Sequence, residues 1–130
     1  MDKNLPLTEA LFYILLAVRK PNHGYGITQE VEELTGGRVT LGPGTLYGAI
    51  QSLVKKDWIR IYSEDTESRK KKEYIITDEG RAVFEAEKAR LNELVKNAMP
   101  YIDYKLEAYK RDLNLATEEG KLDYMKRITE

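Results

Sequence analysis

Three segments in the first half of the chain repeat apolar residues at steps of three and four, which is the spacing of an amphipathic helix. In the first segment the repeating residues are Leu7, Leu11, Ile14, Leu15 and Val18. The second segment, Tyr25 to Leu34, stops at Gly36 because glycine readily adopts the left-handed conformation that ends helices. The third begins at Pro43, where a missing backbone N–H costs little, and ends before Asp57. The pattern predicts three helices in this part of the chain.

The pattern changes after the third predicted helix. Residues 59–62 and 72–76 are predicted strands, and the polar residues 63–71 between them predict a long hairpin loop. Thr77 then starts a long helix, because threonine is a good helix cap and two acidic residues follow it. In a winged helix-turn-helix, three helices precede a two-stranded ribbon, the wing, and the third helix enters the DNA major groove. The predicted fold class is therefore mainly α (α+β), a winged helix-turn-helix with a two-stranded wing.

The third predicted helix has two contrasting faces. One is an apolar stripe made of Leu46, Ile50, Leu53 and Val54. The other face bears small, hydrogen-bonding and aromatic residues and no carboxylate; its members are Thr45, Tyr47, Gly48, Gln51, Ser52 and Lys55. A merely solvated helix face usually carries Glu and Lys together, whereas a face without acids suits polyanionic DNA. The pattern therefore predicts a helix that packs with one face and recognises DNA with the other.

The candidate DNA-binding residues are Gly44, Thr45, Tyr47, Gln51, Ser52, Lys55, Arg69, Lys70, Lys71 and Lys72. Tyr47 would donate its hydroxyl to a phosphate; the alternative is a half-buried tyrosine that packs on the second helix. Gln51 is the best candidate for bidentate contact with adenine, although most exposed glutamines simply face water. Of the four consecutive cations at 69–72, at most two or three can face one DNA backbone, because alternate strand residues point to opposite sides. The alternative for this run is a solvated strand end.

The C-terminal third carries a long apolar seam at helical spacing. Its members are Leu91, Leu94, Val95, Ala98, Ile102, Leu106, Tyr109 and Leu113. A kink or a new helix start is expected at Met99-Pro100. A winged-helix core has little use for this edge, and the simplest partner for it is the same edge of a second copy, which gives a homodimer. The expected domains are a winged helix-turn-helix DNA-binding domain at 1–80 and a C-terminal helical dimerisation region at 81–130.

An effector site in the dimer seam would use Tyr13, Leu91, Val95 and Met99, because flat aromatic rings and flexible methionine suit small apolar or aromatic ligands. Plain dimer core is the favoured alternative for these four, since close packing is the rule inside proteins. The single histidine, His23, lacks neighbours at ligand spacing and is expected to satisfy the turn before the second helix. Tyr25 is expected to pack at that helix start, with contact to a backbone phosphate as the lesser alternative. Trp58 is expected to fill the core, with stacking on an effector as the lesser alternative.

Composition narrows the function classes. The chain has 130 residues, 42% of them hydrophobic and 33% charged, which is typical of one globular domain with an appended helical segment. A net charge of −1 does not by itself indicate a nucleic-acid binder. The absence of cysteine excludes disulfides and thiolate metal sites and fits the cytoplasm, and no apolar run is long enough for a membrane. No nucleophile–base pair or phosphate-binding loop is present, so we expect neither an enzyme nor a cofactor.

Four motifs occur in order and at workable spacing: His23 to Ile27, Pro43 to Ile50, Trp58-Ile59, and Arg69 to Tyr74 followed by residues 77–80. With them the chain resembles the PadR family of bacterial transcriptional regulators, in its smaller subtype with a short C-terminal dimerisation region. The resemblance implies a homodimeric winged-helix repressor. Such a protein binds a dyad-symmetric operator on double-stranded DNA and is released by a small aromatic or amphiphilic effector.

One residue and one segment depart from the family pattern. Asp57 stands where the family usually has glycine, although aspartate tolerates left-handed backbone geometry better than most residues. The predicted wing tip at 63–68 is acidic and lacks a turn glycine, which shifts the expected DNA contacts to the cations that follow it. Near-neutral charge and this acidic tip favour an alternative function, a winged-helix module for protein–protein interaction. The acid-free helix face beside a cationic strand favours DNA.

Overall fold

A computed structural model of the chain describes residues 3–64, 72–101, 104–115, 119–120 and 125–127. In chain order the elements are α1 (Glu9–Ala17), β1 (Asn22–His23), α2 (Gly24–Thr35), α3 (Pro43–Lys55), β2 (Ile59–Glu64), β3 (Lys72–Ile76), α4 (Asp78–Ala98) and α5 (Tyr104–Leu115). The chain divides into two compact units, Met1–Leu91 and Asn92–Glu130. The first unit is a winged helix, so the predicted fold class is confirmed. The functional division at residue 80 stays a prediction.

Local chemistry sets the helix ends. The Thr8 hydroxyl accepts a hydrogen bond from the backbone N–H of Leu11 and caps α1. The Nδ1 atom of His23 accepts one from the N–H of Gly26, at 3.1 Å, and caps α2, as predicted from the lone histidine. Helix α2 closes at Gly36 with a left-handed φ of 60°. Pro43 stands at the start of α3.

The sheet has one strand more than the sequence predicted. Its order is β1-β3-β2, with antiparallel neighbours, and β2 and β3 form the predicted wing. The additional strand is only two residues long and pairs Asn22 with Tyr74 and His23 with Glu73. A two-residue strand shows no periodicity, so this segment was predicted only as a turn. The pairing joins the start of α2 to the wing.

The core of the first unit comes from the predicted apolar stripes. Its fully buried side chains include Ile14, Leu15, Val18, Ile27, Val31, Leu53 and Ile59. Trp58 is buried among them, which confirms its predicted role in the core. Leu34, in the last turn of α2, is half-exposed and does not continue the buried face of that helix. The buried stripe of α3 fixes that helix against the core and leaves its opposite face outside.

The corner between α3 and β2 rests on Asp57, which has a φ of 61° and is the single non-glycine residue with positive φ within the described parts of the chain. The expectation that aspartate occupies a left-handed position here is confirmed. The backbone oxygen of Asp57 accepts a hydrogen bond from the Thr77 hydroxyl, which itself caps α4 by accepting from the N–H of Gly80. The corner and the start of α4 are thereby joined.

The second unit exposes apolar side chains along the end of α4 and along α5. Helix α4 ends at Ala98 and α5 begins at Tyr104, so a new helix starts beyond Met99-Pro100, as expected. The large exposed apolar side chains of this unit include Leu94, Val95, Met99, Leu106, Tyr109 and Leu113. The seam residue Ile102 lies outside the described residues. Within the parts of the chain that the structure describes, no helix combines the length and apolar character needed to cross a bilayer.

Candidate DNA-binding site

Helix α3 presents the two faces that its sequence predicts. Leu46, Ile50 and Leu53 are buried, each at most 3% exposed. On the other side Gly44, Thr45, Tyr47, Gln51 and Lys55 are exposed, and Ser52 is partly buried. No acidic residue occurs in the helix, which reads PGTLYGAIQSLVK. An exposed helix face with donors and no carboxylates can approach phosphates and base edges without charge repulsion.

A groove of about 950 Å³ lies beside this face, between the start of α2, α3 and β3. Its lining is His23, Gly24, Tyr25, Pro43, Tyr47, Ile50, Gln51, Lys72 and Tyr74. The groove thus brings together three of the predicted DNA-binding residues, Tyr47, Gln51 and Lys72. Gly44, Thr45, Ser52 and Lys55 belong to α3 but do not line it. Arg69, Lys70 and Lys71 lie outside the described residues.

Tyr47 packs on α2 and is also exposed, so its predicted contact with a phosphate stays a prediction. Its ring lies against Gly24 at the start of α2, which is the packing contact. Half of the side chain is nevertheless exposed, on the wall of the groove. Tyr47 therefore borders both α2 and the groove, and its hydroxyl is a candidate donor to a phosphate there.

Lys72 stands on the first residue of β3 and is the described member of the cationic run. Its ammonium nitrogen lies 3.7 Å from a carboxylate oxygen of Glu64 on the neighbouring strand β2, and both side chains are about half-exposed. An exposed pair of this kind contributes little to stability. It does, however, place an acid beside a cation that is a candidate for phosphate contact.

Tyr25 and Tyr74 also line the groove. The sequence does not predict Tyr74 as a site residue, and it gives a phosphate contact for Tyr25 only as the lesser alternative. Tyr25 is exposed, and its ring is parallel to that of His23 at the start of α2, at a centroid distance of 6.5 Å. Tyr74 is buried on β3; burial raises its pKa, and the neighbouring phenol of Tyr47 and the carboxylate of Glu64 raise it further. Tyr74 therefore remains a neutral phenol at physiological pH. The fold brings the two tyrosines to one groove, because β1, which precedes Tyr25, pairs with β3, which carries Tyr74.

A second cavity, of about 320 Å³, lies between α1 and α4 within the first unit. Its lining is Leu7, Glu9, Phe12, Tyr13, Glu87, Arg90 and Leu91. Phe12 stacks on Phe84 at a centroid distance of 4.8 Å, which fixes one wall. Of the four predicted seam residues, Tyr13 and Leu91 line this cavity. Val95 and Met99 belong to the second unit, where both are exposed.

Glu87 is a buried carboxylate that the sequence did not reveal, and it is 1% exposed. One of its oxygens accepts a hydrogen bond from the Arg90 guanidinium and the other from the backbone N–H of Leu7. The hydrogen bond from Arg90 lowers the pKa of Glu87 and outweighs the opposing effect of burial, and the N–H of Leu7 lowers it further. At the outer edge of the same cavity, an ion pair with Arg38 lowers the pKa of Glu9.

Within the described residues, the groove supplies hydrogen-bond donors from tyrosine and glutamine side chains and one cation, Lys72. No group of three or more metal-ligating side chains comes together within the described residues. The only histidine uses its Nδ1 atom as a helix cap. The winged-helix fold, the donor-rich face of α3 and the wing beside it define a class of protein, the winged-helix transcriptional regulators.

The family follows from comparison with known proteins. Residues 13–86 match the model of the transcriptional regulator PadR-like family, and the chain belongs to this family. Members of the family are transcriptional regulators, which bind DNA, are generally dimeric and are generally not enzymes. The resemblance found in the sequence motifs is thereby confirmed.

Individual relatives agree with this assignment. The structure of a PadR family transcription regulator from Clostridium difficile R20291 superposes with a TM-score of 0.60 and 26% identity, over 72% of this chain and 97% of that one. An uncharacterised protein X from Lysinibacillus sphaericus is 38% identical over 82 residues, 62% of this chain and 69% of that protein. An uncharacterised 37.1 kDa protein in transposon TN4556 of Streptomyces fradiae is 39% identical over 67 residues, 52% of this chain. The chain covers 18% of the length of that last relative.

Proposed function

We propose that this regulator is a repressor that binds a dyad-symmetric operator as a homodimer and is released by a small aromatic or amphiphilic effector. The observation that carries the proposal is the exposed, acid-free face of α3, which opens with Lys72 and the start of α2 into one groove. A surface with this arrangement of donors complements the phosphates and base edges of double-stranded DNA.

Helix α3 would enter the major groove, and the ten predicted residues, six on α3 and four in the cationic run at 69–72, would have different roles. Residues near its start, Gly44 and Thr45, reach deepest in this docking geometry, because recognition helices contact base edges with their N-terminal part. Gln51 would contact a base edge. Tyr47, Ser52 and Lys55 would bind the flanking phosphates, and the cationic run from Arg69 to Lys72 would follow the backbone along the wing.

The dimer would form through the C-terminal helical region. The second unit exposes large apolar side chains at helical spacing on both segments, and such a surface usually marks an interaction site. A second copy offers the same surface and would cover it with two-fold symmetry. The two copies of α3 would then enter successive major grooves about 34 Å apart. A regulator of this kind works on DNA in the cytoplasm.

The effector would act on the spacing between the two copies of α3. The cavity between α1 and α4 has a size at the lower end of small-molecule pockets and is lined mainly by apolar and aromatic side chains, Tyr13 and Leu91 among them. Val95 and Met99, the other two residues predicted for the effector, are exposed in the second unit. An effector that binds more tightly to a dimer with the wrong spacing of recognition helices shifts the population away from the DNA-binding form.

The test is the binding of purified protein to the duplex upstream of its own gene, measured by fluorescence anisotropy against a random duplex across a series of salt concentrations. We expect a preference of about a thousandfold for the upstream duplex and a steep negative salt dependence. The variants Gln51→Ala and Lys55→Ala should weaken binding, whereas Lys88→Ala on α4 serves as a matched control. Weak binding that ignores both sequence and salt would reject the proposal and favour the protein-interaction module.

A further inference from the structure

The start of α2 approaches α3 closely at one glycine. A methyl group built on Gly24 would lie 2.7 Å from the hydroxyl oxygen of Tyr47, 3.1 Å from its Cζ and 3.4 Å from its Cε1. These are the three nearest atoms to that position, and all belong to the same ring. Tyr47 therefore occupies the space that any other side chain at residue 24 would need.

The requirement for glycine here comes from Tyr47 and not from the backbone. The glycines with positive φ among the described residues are Gly36 and Gly37, so Gly24 has a backbone conformation that alanine can adopt. Gly80 differs from it, because a methyl group there would lie 2.0 Å from the backbone oxygen of Trp58, which cannot move away. At Gly24 the obstacle is the outer end of a half-exposed side chain, which can turn toward solvent at little cost.

We infer that Gly24 is a positioning residue for DNA binding: it leaves room for the Tyr47 ring to lie on α2 with its hydroxyl facing a DNA phosphate. The inference rests on the proposed DNA-binding function and assigns a role to a residue that makes no DNA contact itself. Tyr47 and Gly24 both line the groove that contains Lys72 and Gln51, so a displaced ring would also change the shape of that groove. Tyr74 lines the same groove, so its ring signals report on the position of the Tyr47 ring.

The experiment is a double-mutant cycle with Gly24→Ala, Tyr47→Ala and the combined variant, and Tyr47→Phe is measured beside them. We expect Gly24→Ala to weaken operator binding by about a hundredfold or more, since a hydrogen bond to a charged group is lost in each half of a dimer. The slope of log affinity against log salt concentration should not change, because a neutral phenol that contacts a phosphate releases no counterion from the DNA. In the Tyr47→Ala background, Gly24→Ala should have no further effect. Thermal stability should not fall, because alanine favours helices more than glycine does.

A second readout needs no DNA. In NMR spectra of tyrosine-labelled protein, Gly24→Ala should shift the ring signals of Tyr47 and Tyr74 and leave those of Tyr13 in place. Unmoved Tyr47 signals would overturn the inference whether or not the wild type binds DNA. So would wild-type affinity in Gly24→Ala, or an equal loss of affinity in the Tyr47→Ala background. A wild-type protein that binds no operator would instead reject the proposed function, and the two failures are thereby distinguished.

Discussion

A carboxylate oxygen of Glu87 on α4 accepts a hydrogen bond from the backbone N–H of Leu7 at 2.5 Å, across 80 residues of sequence. The other oxygen is held by Arg90 one turn further along the helix. The segment before α1 is thus fastened to α4 by a charge-assisted hydrogen bond, which is stronger than one between neutral groups. Both groups lie at the cavity between α1 and α4, so this contact also shapes one of its walls.

Removal of this carboxylate should destabilise the first unit. Glu87→Ala leaves the N–H of Leu7 and the guanidinium of Arg90 without their acceptor, and we expect a loss of about 2–4 kcal/mol in the free energy of unfolding. Glu87→Gln keeps one acceptor oxygen and should lose about half as much. Chemical unfolding followed by the fluorescence of Trp58 measures both. The control is Glu85→Ala, an exposed residue paired with Lys88, which should change stability by less than about 0.5 kcal/mol.

The lowered pKa of Glu87 predicts that the stability of the first unit depends on pH. The folded-state pKa of Glu87 is lowered below its ordinary value of 4.5, chiefly by the hydrogen bond from Arg90, so the unfolded chain takes up the proton first as pH falls. Its contribution is therefore complete above about pH 5 and is lost as pH falls below 4.5 through the folded-state value. We expect the gap in melting temperature between the wild type and Glu87→Gln to be largest at pH 7 and to narrow below pH 4. A gap that is constant from pH 7 to pH 3 would contradict this assignment.

Asp57 offers a test of backbone conformation. At a φ of 61°, a β-branched residue is strained, so Asp57→Val should lower the free energy of unfolding by about 1–3 kcal/mol. Asp57→Gly relieves the left-handed conformation but adds freedom to the unfolded chain, and these effects should nearly cancel. Denaturant unfolding of the wild type and the two variants gives the order of their free energies of unfolding. If the valine variant were as stable as the wild type, Asp57 would not be in the left-handed region in solution.

The pair between Lys72 and Glu64 leads to a prediction about affinity. Glu64→Gln removes an acid from the edge of the groove and frees the ammonium group for a phosphate, so operator binding should tighten about two- to fivefold at low salt. Lys72→Ala should weaken binding and reduce the slope of log affinity against log salt by about one. Anisotropy titrations at three salt concentrations measure both effects. Weaker binding by Glu64→Gln would show that the carboxylate orients Lys72 instead of competing for it.

The periodic parts of this fold could be predicted from the sequence, and the contacts between distant segments could not. The stripe of Leu46, Ile50 and Leu53 is buried as its spacing indicates, because a helix repeats every 3.6 residues. The burial of Glu87 could not be predicted in this way, since Glu87 and Arg90, three positions apart, resemble an exposed ion pair on a helix. Its partner is a backbone N–H, which every residue has, so only the folded chain shows why this carboxylate is buried.

The candidate site also has one part that could be predicted from the sequence and another that could not. The donor-rich face of α3 follows from periodicity, whereas the groove beside it depends on how α2, α3 and β3 meet. Gly24 reads in the sequence as one of two glycines in a turn motif, and its contact with Tyr47 arises only from the close approach of two helices. Tyr74 likewise enters the site through its pairing with Asn22 on a strand too short to show a pattern.

The exposed seam of the second unit should decide the oligomeric state. Val95→Glu and Leu106→Glu each place a charge on an apolar surface, and burial of that charge in an interface would cost several kcal/mol. We expect either variant to sediment as a monomer at concentrations where the wild type is a dimer. Operator affinity should fall by about a hundredfold or more, because a monomer binds one half-site only. Lys96→Glu changes an exposed residue next to Val95 on α4, and this variant should remain a dimer with wild-type sedimentation. Monomeric wild-type protein at all concentrations would reject the homodimer and require the seam to bind another partner.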